Sequence, residues 1–79
     1  MFIVYFLYSE IGDVYYKGFT TNIETRLQYH LLGKSKFTSR YSDWRLVYSV
    51  YFDTKSEALR EEKRLKRLNR LSIEKLITK

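Results

Sequence analysis

Arg26 and His30 stand four residues apart in the stretch ETRLQYH, a spacing that puts a guanidinium and an imidazole on one side of a helix. A guanidinium at the rim of an apolar core can grip a phosphate through two parallel hydrogen bonds. The plainer alternative is a surface arginine packing its stem, with His30 at the border of the helix's apolar stripe. Three carboxylates, Glu57, Glu61 and Glu62, lie in SEALREEKRLK. Glu57 is explained as the partner of Thr54 in a capping box, whereas Glu62, four residues after Ala58 and three before Leu65, falls on the apolar side; if Leu68 is counted as core, Glu61 and Glu62 flank the stripe about equally. A carboxylate against an apolar face is costly unless it is paired or holds a cation. The chain has no cysteine and one histidine, so a cation there is a hard one such as Mg2+, held by one carboxylate, water and a substrate phosphate. Otherwise Glu61 and Glu62 pair with Arg60, Lys63, Arg64 or Lys66 on a solvated face. A tyrosine can act as a general base only where its surroundings favour the phenolate, since a free phenol titrates near pH ~10. Tyr5 and Tyr16 therefore need Arg26, Lys17 or a metal-bound water close by.

The elements that must bring these groups together follow from periodicity. Residues 2–8, FIVYFLY, are apolar throughout, as in a strand covered on both faces. A turn at Glu10-Ile11-Gly12-Asp13 leads to a return strand over 15–20. With that loop, Ser9 pairs with Val14, Leu7 with Tyr16 and Tyr5 with Gly18, so Tyr5 and Tyr16 share a face. A slip of one residue would separate them. Gly18, opposite Tyr5, would leave room for a phosphate or a water, and Tyr15 would only pack. Thr21 and Glu24 form a capping box for a helix whose buried stripe is Ile23, Leu27 and Leu31, with Gly33 as its left-handed terminator. KSKFTSRYSD is a polar, basic loop, residues 44–52 a third strand, and Thr54 caps a helix running to about residue 68. A short helix over 72–77 closes the chain. The expected fold class is α+β: a small three-stranded antiparallel sheet flanked by helices, in the order β-β-α-β-α-α, with residues 1–79 forming one domain.

Composition narrows the function. Without cysteine, thiol catalysis, disulfide scaffolds and Cys/His zinc sites are excluded. The apolar start, MFIVYFLY, lacks a basic flank and is too short for a signal peptide or a membrane span. The chain reads as soluble and cytoplasmic. Its net charge is +6, and residues 54–79 carry nine Lys/Arg against four Asp/Glu, which places most of the excess at the C-terminal end. That asymmetry suits a polyanionic partner, most often nucleic acid, although a solvated basic helix face would look the same.

Taken together and in order, IVYFLYS, YYKGFT, ETRLQYH, KSKFTSRYSDWRLVY and SEALREEKRLK resemble the GIY-YIG nuclease superfamily, in its small stand-alone bacterial branch. The resemblance covers nearly the whole chain. It implies that Ile3-Val4-Tyr5 stands for G-I-Y and Tyr16-Lys17-Gly18 for Y-I-G, with Arg26 as the catalytic arginine, His30 as the polar residue one turn later and Glu62 as the metal-binding glutamate. It also implies divalent-metal-dependent hydrolysis of DNA phosphodiesters with Mg2+ (or Mn2+). In that scheme Tyr5 takes a proton from water, directly or through Tyr16, Arg26 stabilises the charge that builds on phosphorus oxygens, and the metal on Glu62 stabilises the leaving oxygen. The chain departs from the pattern at Ile3 and Lys17, and Asn69 comes too early to match an asparagine many members carry.

DNA contact is expected from Lys17, Lys34, Lys36, Arg40, Arg45, Lys63 and Lys66, largely through phosphates and hence with low sequence specificity. Branched, nicked or single-stranded DNA are the expected substrates, in repair or recombination. The competing readings are a nucleic-acid-binding module with weak or no catalysis, and an interaction domain whose charge serves only solubility.

Overall fold

The computed structural model describes residues 1–77. Two strands, β1 (Phe2–Ser9) and β2 (Val14–Thr20), form a hairpin, followed by α1 (Ile23–Leu31), a 3₁₀ turn (Thr38–Arg40), β3 (Arg45–Phe52), α2 (Lys55–Leu65) and α3 (Arg70–Ile77). The three strands make one antiparallel sheet in the order β2-β1-β3. The expected α+β class and element order are therefore present.

β1 is the middle strand, which explains why its sequence is apolar on both faces. Val4 and Phe6 point to one side and pack with Ala58, Leu65 and Ile73 of α2 and α3. Tyr5 and Leu7 point to the other, where Trp44 and the Ile23, Leu27 and Leu31 stripe of α1 cover them. Each side thus receives alternate residues, as the strand period requires. The hairpin register is the one the four-residue loop dictates: Ser9 faces Val14, Leu7 faces Tyr16 and Tyr5 faces Gly18. Asp43 holds that loop from outside the hairpin. Its carboxylate accepts from Ser9 Oγ at 2.6 Å and from Ile11 N at 3.0 Å, and Gly12 N donates to Ser9 Oγ at 3.1 Å. On the far side Arg70 of α3 donates to the Asp13 carbonyl at 2.9 Å and pairs with the Asp13 carboxylate.

Besides one-residue extensions of β1 and β2 at the hairpin, four boundaries differ from the sequence reading. The N-cap of α1 is Asn22, not Thr21: its side chain accepts from Thr25 N at 3.1 Å. Thr20 moves the cap along by one, because its hydroxyl accepts from Asn22 N at 3.1 Å and anchors that residue's backbone outside the helix. Trp44 precedes β3 rather than opening it, since its indole turns inward to donate to the Thr38 carbonyl at 2.7 Å. α2 ends at Leu65, where a tight turn closed by Leu68 N on the Leu65 carbonyl takes over. α3 begins at Arg70, two residues early, because Asn69 Oδ1 accepts from Ser72 N at 2.9 Å. Asn69 therefore has a structural role as a cap. Thr54 caps α2 as expected, with Glu57 N donating to Thr54 Oγ1 at 3.2 Å, and the Glu57 side chain answers by accepting from the Thr54 hydroxyl at 2.8 Å. Gly33 ends α1 at φ +73°, the left-handed conformation that suits a glycine.

The displaced cap can be checked directly. Asn22→Ala should cost about 1 kcal/mol of stability, and Thr21→Ala less than about 0.5 kcal/mol. Urea denaturation of both variants measures the difference, and equal losses would contradict the cap assignment.

Candidate active site

The α1 face of the sheet carries a chain of buried polar groups. Tyr5, 1% exposed, extends from β1 across β2 and over Gly18; a Cβ on that glycine would lie 2.4 Å from the phenol. The space above Gly18 is therefore filled by the Tyr5 ring, not left for a phosphate or a water. The Tyr5 hydroxyl is 2.8 Å from His30 Nε2, and His30 Nδ1 is 2.8 Å from Thr38 Oγ1. His30 does not border the core, as its helix position suggested. It is the buried residue of α1, drawn inward because both ring nitrogens find partners there.

The other expected groups surround this chain. The Tyr16 ring lies 4.8 Å from the imidazole and 6.4 Å from the Tyr5 ring, so the two tyrosines share a face as the register predicts. Arg26, half-buried on α1, lays its guanidinium 5.1 Å over the Tyr29 ring. It borders an open groove at the start of α1 that includes Thr20, Thr21, Asn22 and Thr25. Burial pushes the Tyr5 phenol well above its ordinary value; Tyr16 adds to this, the Arg26 charge pulls it back, and Glu62 pushes it up again. Burial, followed by the Arg26 charge, holds the His30 imidazole below its ordinary value. Arg26 and Glu62 thus both act electrostatically on Tyr5 from different elements.

The structure gives Glu61 and Glu62 different partners. Glu61 is fully engaged: Arg64 donates to both its oxygens at 2.7 Å. Glu62, half-buried on the same helix, has among the described residues only a loose ion pair with Lys66 at 3.8 Å. Among the described residues no group of three or more His, Cys, Asp or Glu could hold a metal. A hard divalent ion fits here only in its sparsest form, on one carboxylate completed by water and substrate oxygens, and Glu62 is the carboxylate free enough to supply it.

The basic residues divide. Lys17 pairs across the sheet with Phe6 and so lies on the α2 face, opposite Tyr5 and Tyr16. Its ammonium is depressed by burial and by the nearby Lys66, and it is absent from the charges that shift Tyr5. Lys34, Lys36 and Arg40 are exposed in the loop after α1, with Arg40 5.5 Å over the Phe37 ring, and Phe37 in turn touches Tyr16 at 5.7 Å. Lys63 and Lys66 are exposed on α2. Arg45 lies apart from the cluster, 5.5 Å over Tyr8. Tyr15 packs, against Tyr8 at 4.8 Å and beneath Arg70 at 5.5 Å. Sequence reasoning missed Thr38, which sits within a segment that reads as a solvated basic loop. The one available signal was its place between two aromatics, Phe37 and Tyr41, in an otherwise polar stretch.

With the geometry in view, relatives place the chain. A model of the GIY-YIG catalytic domain matches residues 1–75. A UPF0213 protein of Oceanobacillus iheyensis is 44% identical over 63 residues, 78% of this chain and 73% of the relative. A UPF0213 protein of Natronomonas pharaonis is 34% identical over 73 residues, 91% of this chain and 86% of the relative. The fold is similar to the solution NMR structure of a UPF0213 protein from Bacillus halodurans, with a TM-score of 0.63 and 35% identity over 99% of this chain and 84% of that one.

Two outcomes follow from the packing. Gly18→Ala drives a methyl into the Tyr5 phenol, and should cost about 1–3 kcal/mol as it forces the ring off His30; urea denaturation reads the loss. The second outcome concerns pH. The folded protein holds His30 below its ordinary 6.5, so on acidification the unfolded chain takes up this proton first. Stability should be complete above that ordinary value and fall as pH drops through it towards the folded value. A pH series of denaturation midpoints should show that slope in the wild type and lose it in His30→Gln.

Proposed function

This chain belongs to the GIY-YIG catalytic domain family, and on that basis we propose that it is an endonuclease that hydrolyses DNA phosphodiester bonds. The observation that carries the reading is the buried Tyr5–His30 pair lying within reach of the charges of Arg26 and Glu62. Tyr5 is the general base, taking a proton from the attacking water directly or through Tyr16. Arg26 stabilises the negative charge that develops on the phosphorus oxygens, an interaction that strengthens as the transition state forms. Glu62 would hold a divalent ion, Mg2+ or Mn2+, which supplies Lewis-acid stabilisation of the leaving oxygen. Lys66 must release Glu62 for this, and its loose contact at 3.8 Å makes that release easy.

Exposed Lys34, Lys36, Arg40, Lys63 and Lys66 contact phosphates, joined by Lys17 beside Lys66 and by Arg45 apart from the cluster. Phosphate contacts position the duplex without reading bases. Specificity for sequence is therefore low, and branched, nicked or single-stranded DNA are the substrates, in repair or recombination. A second reading, a DNA-binding module without efficient catalysis, is favoured by one observation: burial raises the Tyr5 phenol, against the needs of a base.

Cleavage of branched, nicked and single-stranded DNA with Mg2+ and Mn2+ separates the two. Cutting by the wild type should fall by about 100-fold or more in Arg26→Ala, on the scale of losing one transition-state donor, and in Glu62→Gln. Undiminished cutting in both variants would trace to a contaminating nuclease and overturn the assignment. No cutting, with salt-sensitive binding that Glu62→Gln leaves intact, would establish the binding module.

A further inference from the structure

We propose that Thr38 is a positioning residue that donates to His30 Nδ1 and so fixes the imidazole in its Nε2–H form, making His30 a hydrogen-bond donor to the Tyr5 oxygen. The choice of direction and its catalytic consequence rest on the nuclease reading above; the hydrogen-bond chain itself does not.

The argument is a count of protons. Tyr5, His30 and Thr38 form a chain with two hydrogen bonds, each at 2.8 Å. Neutral, the three groups bring three hydrogens, one more than the two bonds can use. The surplus must lie at one end. If Tyr5 donates to Nε2, then Nδ1–H donates to Thr38 and the Thr38 proton is left over. Thr38 is 0% exposed, and among the described residues its hydroxyl has no partner other than His30. That arrangement orphans a donor where water cannot reach it, the costly way to leave a polar group. In the reverse direction Thr38 donates to Nδ1, Nε2–H donates to Tyr5, and the hydrogen left over is that of Tyr5, a residue as buried as Thr38. The surplus proton then belongs to Tyr5, the group the nuclease reading requires to exchange one. When Tyr5 gives up that proton, both bonds remain and no donor is orphaned, so the chain is fully satisfied around a phenolate.

Among the described residues no carboxylate hydrogen-bonds the imidazole. It is faced by Tyr5 from β1, by Tyr16 from β2, by Tyr29 and the Arg26 charge from its own helix, and by Thr38 from the loop. The Thr38 hydroxyl is thus the group that orients the ring, the part a second partner plays for a histidine elsewhere. Thr38 is itself held, because Trp44 Nε1 donates to its carbonyl at 2.7 Å and Tyr41 N at 3.3 Å.

The chain contains one histidine, so the ring-nitrogen signals of uniformly 15N-labelled protein need no assignment. At a pH where His30 is neutral, the wild type and Thr38→Ser should carry the proton on Nε2, and in Thr38→Val the Nδ1 signal should move to that of an unbonded nitrogen. A proton on Nδ1 in the wild type, or an unchanged Nδ1 signal in Thr38→Val, would overturn the proposal. Should Thr38→Val not fold, the wild-type and Thr38→Ser spectra decide the direction alone. In cleavage assays Thr38→Val should lose about tenfold, the lower end of what such an orienting partner contributes. The pH at which its rate levels off should rise, with Thr38→Ser restoring both. A wild-type rate and profile in Thr38→Val would refute the positioning role. Absence of cleavage in every protein would refute the nuclease reading, while the nitrogen spectra would still decide the hydrogen-bond chain.

Discussion

The hydrogen bond between Tyr5 and His30 joins the middle of the sheet to the last turn of α1, and three separate parts of the chain must be in place before it can form. The hairpin register must put Tyr5 opposite a residue with no side chain, because the phenol crosses the strand where a Cβ would stand. The helix must be phased so that His30 points inward with Ile23, Leu27 and Leu31. The loop after the helix must fold back so that Thr38 closes the other side of the ring, and the Trp44 indole holds it there. Buried polar groups are tolerated only when such partners are complete. Here none of the buried side-chain polar atoms among the described residues lacks a partner.

The same burial sets a tension within the site. Withdrawing Tyr5 from water raises its phenol, and the carboxylate of Glu62 acts in the same direction. Arg26 acts the opposite way on the phenol, and it also discourages protonation of the neighbouring imidazole. One cation thus biases both members of the pair towards forms that suit a base: a more acidic phenol and a neutral ring. An anion bound beside Arg26 would weaken that bias, so the site's electrostatics depend on what occupies the groove at the start of α1.

Much of this was legible in the residues, for reasons that can be named. The register followed from the four-residue loop, and it placed Tyr5, Tyr16 and Gly18 correctly because side-chain direction in a strand follows sequence parity. The Thr54 cap followed from a local motif. The cap of α1 was misplaced because Thr20, Thr21 and Asn22 are all good cap candidates, and the choice fell to a hydrogen bond involving Thr20. Thr38 and Asp43 were invisible for a different reason. Each acts on a residue distant in sequence, His30 and Ser9, and nothing in the polar loop that carries them marks which side chains turn inward. Spacing favoured Glu62 over Glu61 only while Leu68 was left out of the core, and nothing in it marked Arg64 as the partner of Glu61.

Lys17 and Lys66 have a further consequence. One comes from β2 and the other from α2, and the fold brings them close enough that Lys66, together with burial, makes the Lys17 ammonium easier to deprotonate. Like charges held near one another oppose the compact state in the free protein. An anion that bridges them relieves that repulsion only in the folded form, since the unfolded chain has no such pair. By linkage, the folded protein then gains thermal stability in proportion to the logarithm of anion concentration above its dissociation constant. A polyanion would therefore act as part of the fold's support, and the melting temperature would report on occupancy of this face without any reaction taking place.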